Sequence, residues 1–241
     1  MPDKALVTGL QAISDLSILN RIEKKLRNSI GFPWDHILPE DIGSCYELIR
    51  EVGPSFEEGK IVLNQVIGRR GSGIHHTPHD ATDFMGKEAI RLYDCSVNSE
   101  VNDLVVCDLA VGAGAFILQI SRIVSERNGL EISDFLRDNA VGFDIDHEVL
   151  LVAGLCFHLQ AGCPQSVTEY NLHCLDSLGK KATERVIEKI AELPKSDNGN
   201  PDITIGNPPY VRAIAKEWKG SGFESEDSRN LSSYFMEQAC R

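Results

Sequence analysis

The sequence has no long hydrophobic run. Its apolar stretches, such as Val105-Val106-Cys107, are broken by charge within a few residues, far short of the ~18–20 apolar residues that span a bilayer. The opening, Met1-Pro2-Asp3-Lys4, lacks the basic-then-apolar layout of a secretion signal. The expectation is a soluble cytoplasmic protein without membrane contact. Paired cysteines are lacking as well. Seven Cys with no Cys-x-x-Cys argue against disulfides and zinc. Cys107, Cys156 and Cys174 sit in apolar stretches, so the thiols are expected to be reduced and mostly buried. Positive charge is scarce: 24 Lys and Arg against 36 Asp and Glu leave −12. Bulk electrostatics therefore repels nucleic acid, and any such contact falls to local patches or to another polypeptide. No Gly-x-x-x-x-Gly-Lys-Ser/Thr occurs, which excludes P-loop chemistry. Repeats are absent, and 20 Gly and 10 Pro follow no period, which excludes fibrous and low-complexity architectures.

What is there is an ordinary globular composition, 42% hydrophobic over 241 residues, enough for one large core. Leu16, Leu19, Ile22, Leu26 and Ile30 recur at helical spacing with charges between them, so residues 16–30 read as an amphipathic helix. A second helix is expected over 41–52, ending at Gly53-Pro54; a polar loop over 68–73; and a helix from Pro78 to Tyr93. From residue 101 the rhythm changes. Leu104-Val105-Val106-Cys107-Asp108 reads as a buried strand, followed by a glycine turn and a helix over 113–127. Further strands are expected over 140–144, 168–174 and 202–206, separated by helices from 148 and over 182–193. Strands alternating with helices imply an α/β fold with a parallel sheet. Such sheets bind ligands beyond the carboxyl ends of their strands.

The chemistry-bearing residues fall just after those strands. Asp108-Leu109-Ala110-Val111-Gly112-Ala113-Gly114-Ala115-Phe116 offers small residues that let backbone approach a ligand, ahead of a helix amino end. An acid there suits an ammonium or hydroxyl better than a pyrophosphate; alone, the motif is equally a tight strand–helix turn. Asp144 ends the second strand, where wound sheets hold a ribose diol, while Asp146 can serve as a helix cap. Asp176 follows the third strand; an acid there, by itself, is more often a cap than a ligand contact. After the fourth strand comes Gly206-Asn207-Pro208-Pro209-Tyr210. Its prolines hold Asn207 extended and set an amide oxygen and the Pro208 carbonyl as acceptors for a planar amino group, beside an aromatic face.

Together, Asp108-x-Ala110-x-Gly112-x-Gly114-x-Phe116 and Asn207-Pro208-Pro209-Tyr210 resemble the S-adenosylmethionine-dependent N6-adenine DNA methyltransferases of restriction-modification systems. The cofactor motif precedes the catalytic one. His76-Thr77-Pro78 is similar to the Thr-Pro element that such enzymes carry before the first strand. Residues 41–47 and 231–240 resemble the helices flanking these motifs, so the likeness spans about residues 40–241. It implies a Rossmann-like methyltransferase fold, with a helical N-terminal region over 1–95 and part of a catalytic domain over 96–241.

It also implies roles. Thr77, Pro78, Asp108, Ala110, Gly112, Gly114 and Phe116 would serve the methionine end of the cofactor, Asp144 its ribose and Asp176 its adenine amino group. Asn207 and Pro208 would hold the target N6, with Pro209 completing the catalytic motif and Tyr210 stacking on a flipped adenine. Leu109 stands where the family usually has proline. His75, His76 and His79 read as ordinary loop residues, and no metal is expected. The family sheet has seven strands and only four are legible, so the catalytic domain is expected to be truncated after the fourth. A partner chain, a second copy or a missing C-terminal half would then supply target recognition, and the edge beyond residues 202–206 would be covered. Asn-Pro-Pro-Tyr also occurs in methylases of protein glutamine amides, which present the same planar NH2. A non-catalytic cofactor-binding subunit is the third reading.

Overall fold

The computed structural model describes residues 38–57, 60–65, 77–96, 103–162, 170–179, 181–197, 199–210, 223 and 230–240, with backbone alone at 47–57, 60–65 and 96. The helix expected over 16–30, the loop over 68–73 and His75-His76 lie outside the described residues.

Helix α1 (Pro39–Glu51) opens the described chain. Pro39 takes the first helical position, where a missing N–H costs nothing. The Asp41 carboxylate accepts the Leu38 N–H at 2.8 Å, the reciprocal half of a capping box. Where Gly53-Pro54 reads as a break, the chain instead forms an antiparallel hairpin, β1 (Val52–Glu57) with β2 (Lys60–Gln65). Pro54 is tolerated because both strands of a two-stranded sheet are edges. The stretch read as helical up to residue 95 thus also contains a hairpin. Helix α2 (His79–Ser96) follows.

The centre is a parallel sheet of β3 (Val106–Asp108), β4 (Ala140–Asp144), β5 (Asn171–Cys174) and β6 (Ile203–Thr204), in spatial order β5-β4-β3-β6. The expected strands are present, with shorter ladders among the described residues; residues 168–169 of the third lie outside them. Val105 is excluded from β3 because its N–H goes to the Asp202 carboxylate at 2.8 Å. Asp202 in turn donates its N–H to the Val105 carbonyl at 2.9 Å. Side chains alternate across the sheet as the pleat requires. Leu104, Val106, Ala140 and Ile203 join one core with α3 (Ala115–Asn128), α4 (Ile132–Asp138) and α5 (His147–Gln160). Val105, Cys107, Val141 and Phe143 join another with Val186 and Ile190 of α6 (Ala182–Ala191).

Each helix reads as its surroundings demand. Helix α6 is sharply two-faced because only one side meets the sheet. Helix α5 is apolar nearly all round because α1 covers its outer side: Cys156 donates to the Pro39 carbonyl at 3.1 Å, and Tyr46 reaches the Glu148 carboxylate at 3.4 Å. Helix α1 therefore runs antiparallel along α5. Helix α3 is sandwiched between the sheet and α2, where Gly86 allows close approach to Ile123. Helix α7 (Leu231–Ala239) packs on the α6 side, with Tyr234 against Phe223 and Leu178 and with Thr183 bonded to Gln238 at 3.0 Å.

Of the six described cysteines none forms a disulfide; Cys107 and Cys156 are buried, while Cys45, Cys95, Cys174 and Cys240 are exposed. The expectation of mostly buried thiols is thereby corrected. Cys174 is the telling case: it ends an edge strand, where one apolar neighbour in sequence does not mean cover in space. Among the described residues no helix is long and apolar enough to cross a membrane.

Candidate functional site

The order β5-β4-β3-β6 means that the chain winds outward from β3 through β4 to β5 and then returns to the other side of β3. The switch point lies between β3 and β6, and crevices of such sheets open beyond the carboxyl ends there. The first of those ends carries Asp108. Its carboxylate is buried, 1% exposed, and accepts the Ala110 N–H at 3.0 Å. Burial pushes its pKa up to about 7; the Ala110 N–H pulls the other way, and the nearby Asp144 charge adds to the rise. Gly112 and Gly114 hold φ of 53° and 91°, a region that side chains disfavour. At Gly114 a Cβ would also strike the Phe157 ring. Phe116, one step into α3, is buried in the core under the loop. Its side chain therefore supports the loop from below.

At the end of β4, Asp144 turns inward. One carboxylate oxygen accepts the Gly112 N–H at 3.1 Å and the other the Asp146 N–H at 2.9 Å. Asp144 thus braces the glycine loop against the β4 turn, and burial is the main cause of its raised pKa. Asp146 caps α5, accepting the Glu148 N–H at 2.9 Å, which is the cap role read for it. Between them Ile145 is 73% exposed. Past β5, the exposed Asp176 accepts the Leu178 N–H at 3.0 Å in a local turn, and Ser177 donates to the Leu109 carbonyl at 2.5 Å, tying this turn to the β3 loop.

Beyond β6, Gly206 meets Asp108: a Cβ at 206 would collide with the Asp108 carboxylate. Asn207, Pro208 and Pro209 follow, half-buried, and Tyr210 is 60% exposed. The Asn207 amide donates to the Thr77 hydroxyl at 3.1 Å, across 130 positions. Thr77 and Pro78 lead directly into α2, whose first turn bonds the Pro78 carbonyl through the Ala81 and Thr82 N–H groups. The three motifs read in sequence, at 77–78, 108–114 and 206–210, therefore meet at one switch point. Ala110 and Gly112 are half-buried in the same loop. Asp176 lies in the neighbouring turn, which is tied to the group by the Ser177 hydroxyl on the Leu109 carbonyl and by the Leu175 N–H on the Asp144 carbonyl at 2.9 Å. The described His79 is exposed at the start of α2.

Two residues of this rim carried no assignment in the sequence. Ile145 was available as an apolar residue between two acids at a strand end. Gly206 gave only the weak signal of a glycine before Asn-Pro-Pro. Among the described residues no group of three or more His, Cys, Asp or Glu is arranged to hold a metal.

Residues 138–241 match the family model of the Eco57I restriction-modification methylase. The match takes in β4, β5, β6 and the Asn207–Tyr210 turn. No curated protein matches the chain. Among solved structures, the crystal structure of a modification subunit of a putative type I restriction enzyme from Vibrio vulnificus YJ016 superposes with a TM-score of 0.52 at 16% identity. It covers 92% of this chain, which spans 39% of that one. A cryo-electron microscopy structure of a DrdV–DNA complex superposes with a TM-score of 0.50 at 18% identity over 70% of this chain, which spans 19% of it. The resemblance to restriction-modification methylases is borne out over residues 138–241, and the α/β architecture is shared with these solved structures.

Proposed function

We propose that the chain provides the methyl-transfer site of a DNA methyltransferase of a restriction-modification system, acting on adenine N6 with S-adenosylmethionine as donor. The carrying observation is the junction at the switch point. Gly206 lies against Asp108, and Asn207 is bonded to Thr77, so a cradle for one ligand and acceptors for another share a rim. In this reading residues 1–95 are the N-terminal region with the Thr-Pro element, and 96–241 are part of the catalytic domain.

The residues present fit such a donor. Two acids, both pushed upward by burial, gain from a cationic ammonium and from hydroxyl donors. Positive-φ glycines leave the loop backbone open to close approach. Asp108, Ala110, Gly112, Gly114, Thr77 and Pro78 would hold the methionine end, with Phe116 beneath them. Asp144 would take the ribose hydroxyls, Asp176 the adenine amino group, and Ile145 would offer the purine an apolar face. When bound, S-adenosylmethionine supplies an electrophilic sulfonium methyl.

The chain's own contribution lies in the target's geometry. An aromatic amino group is a weak nucleophile because its lone pair is delocalised. Asn207 and the Pro208 carbonyl would accept its two hydrogens and draw the nitrogen towards tetrahedral geometry. Pro209 stiffens the turn, and the exposed Tyr210 ring stacks on the extruded base. Alignment and preorganised acceptors then carry the rate. The exposed aromatic ring favours a purine over a glutamine amide, which has no ring to stack. With a net charge of −12, grip on the DNA backbone falls to local patches or to a partner subunit.

The test is methyl transfer from radiolabelled S-adenosylmethionine to duplex DNA, followed by digestion to nucleosides. Label in N6-methyl-2′-deoxyadenosine, lost in Asn207→Ala, is the expected result. Label in protein glutamine would shift the assignment to amide methylation. Cofactor binding without transfer, alone or with a modification-subunit partner, would mark a non-catalytic subunit.

A further inference from the structure

We infer that Gly43, which lies on α1 outside the loop, is a positioning residue for the 108–114 loop; this rests on the reading of that loop as the cofactor cradle. Gly43 is buried in the middle of α1, where a glycine costs about 1 kcal/mol relative to alanine. The packing shows what the missing side chain permits. A Cβ at position 43 would stand 2.5 Å from the Ala113 Cβ, far inside van der Waals contact. Helix α1 therefore rests on the apex of the glycine loop, with its depth set by the absence of one carbon.

Neither side has an easy retreat. The Ala113 Cβ is rigidly attached to backbone between Gly112 and Gly114, both in the left-handed region. Helix α1 is fastened around Gly43. Glu40 forms an ion pair with Arg122 of α3, the Pro39 carbonyl accepts Cys156, Ile42 packs on the core, and Tyr46 reaches Glu148 at 3.4 Å in the first turn of α5. A push on Ala113 is therefore felt by its neighbours. Gly112 donates its N–H to Asp144 at 3.1 Å, and Gly114 donates to the Val111 carbonyl at 2.8 Å. The path runs from position 43 through Ala113 to the backbone that Asp144 braces.

A reciprocal exchange of one methyl group tests this. Affinity for S-adenosylmethionine is measured by calorimetry on the 241-residue chain, alongside circular dichroism. Gly43→Ala is expected to weaken binding by roughly tenfold or more, the scale of an overpacking clash, with the helical signature retained. Adding Ala113→Gly removes the opposing carbon and should recover most of that affinity, a rescue that general destabilisation of α1 does not produce. Wild-type affinity in Gly43→Ala, or no recovery in the double variant, overturns the inference. Should Gly43→Ala fail to fold, the double variant decides: recovered folding and binding support the steric coupling, and no recovery overturns it. The wild-type titration separates the two readings. No binding there overturns the cofactor assignment itself, whereas binding indifferent to position 43 overturns only this inference.

Discussion

Gly206 and Asp108 lie side by side at the ends of neighbouring parallel strands, with no room between them for a single carbon. The contact joins the motif after β3 to the motif after β6. Only a glycine lets the β6 backbone pass the buried carboxylate without displacing it. Ile205 donates its N–H to the Cys107 carbonyl at 3.0 Å, so the backbone entering Gly206 is already committed to the sheet.

Gly206→Ala should therefore destabilise the fold and distort the site together. Overpacking of this kind costs about 1–3 kcal/mol, and a chain of this size loses roughly 2–4 °C in melting temperature per kcal/mol. Differential scanning calorimetry reads the first effect and S-adenosylmethionine titration the second. An alanine variant that melts and binds as wild type would show that the carboxylate yields freely.

The pH dependence follows from the same acid. Asp108 has its pKa raised to about 7 by burial, against an ordinary value of 3.8. The folded state then holds a proton that the unfolded state has released. Its stabilising contribution is complete below about pH 4 and is lost as pH rises towards 7; Asp144 is shifted in the same direction. Asp108→Asn should flatten that part of the stability profile. A cationic ligand held by Asp108 favours the ionised form, so affinity for S-adenosylmethionine should climb from about pH 5.5 towards 7. An affinity independent of pH across that window would separate Asp108 from the cation.

Much of this site was legible because its signals are local. Small residues mark the turn after β3, Asp146 stands one position ahead of α5, and Asn207-Pro208-Pro209-Tyr210 is contiguous. What stayed hidden is non-local or short. Asp144 reads as an acid at a strand end, but that each of its oxygens also accepts a backbone N–H depends on where β3 and β4 align. Helix α4, at seven residues, is too short to show a helical period, although Phe135 and Leu136 are fully buried. The hairpin β1–β2 was obscured by Pro54, which reads as a breaker unless the strand is known to be an edge. Gly43 shows its meaning only when Ala113, seventy positions on, is seen beneath it.

The ion pair between Arg122 and Glu40 should be a strong point of stability, not of function. Both side chains are largely buried, at 19% and 8% exposure, and Arg122 also bonds Gln119 at 2.6 Å and Gln160 at 3.0 Å. Arg122→Met leaves the Glu40 charge buried without its counter-ion, at a cost of about 3–5 kcal/mol. Adding Glu40→Gln should return part of it. Urea unfolding midpoints of the two variants check this, and a single variant as stable as wild type would show the pair to be dispensable.

The last prediction pairs two exposed residues on opposite sides of the switch point. Ile145 and Tyr210 are 73% and 60% exposed, so truncating either removes little core packing and should leave the melting temperature nearly unchanged. Their effects on function should differ. Ile145 flanks the turn that Asp144 braces, so Ile145→Ala should weaken S-adenosylmethionine binding by about 1–2 kcal/mol, the worth of the apolar surface that its outer carbons cover on the purine. Methyl transfer should then recover at saturating cofactor. Tyr210→Ala should spare cofactor affinity but remove the stacking on the target base, about 1–3 kcal/mol, a deficit that added cofactor does not repair. Calorimetric affinity and transfer rate at saturating cofactor, measured for both variants, resolve the pair. A crossed result, with Tyr210→Ala losing the cofactor and Ile145→Ala losing only the target, would reverse the two assignments.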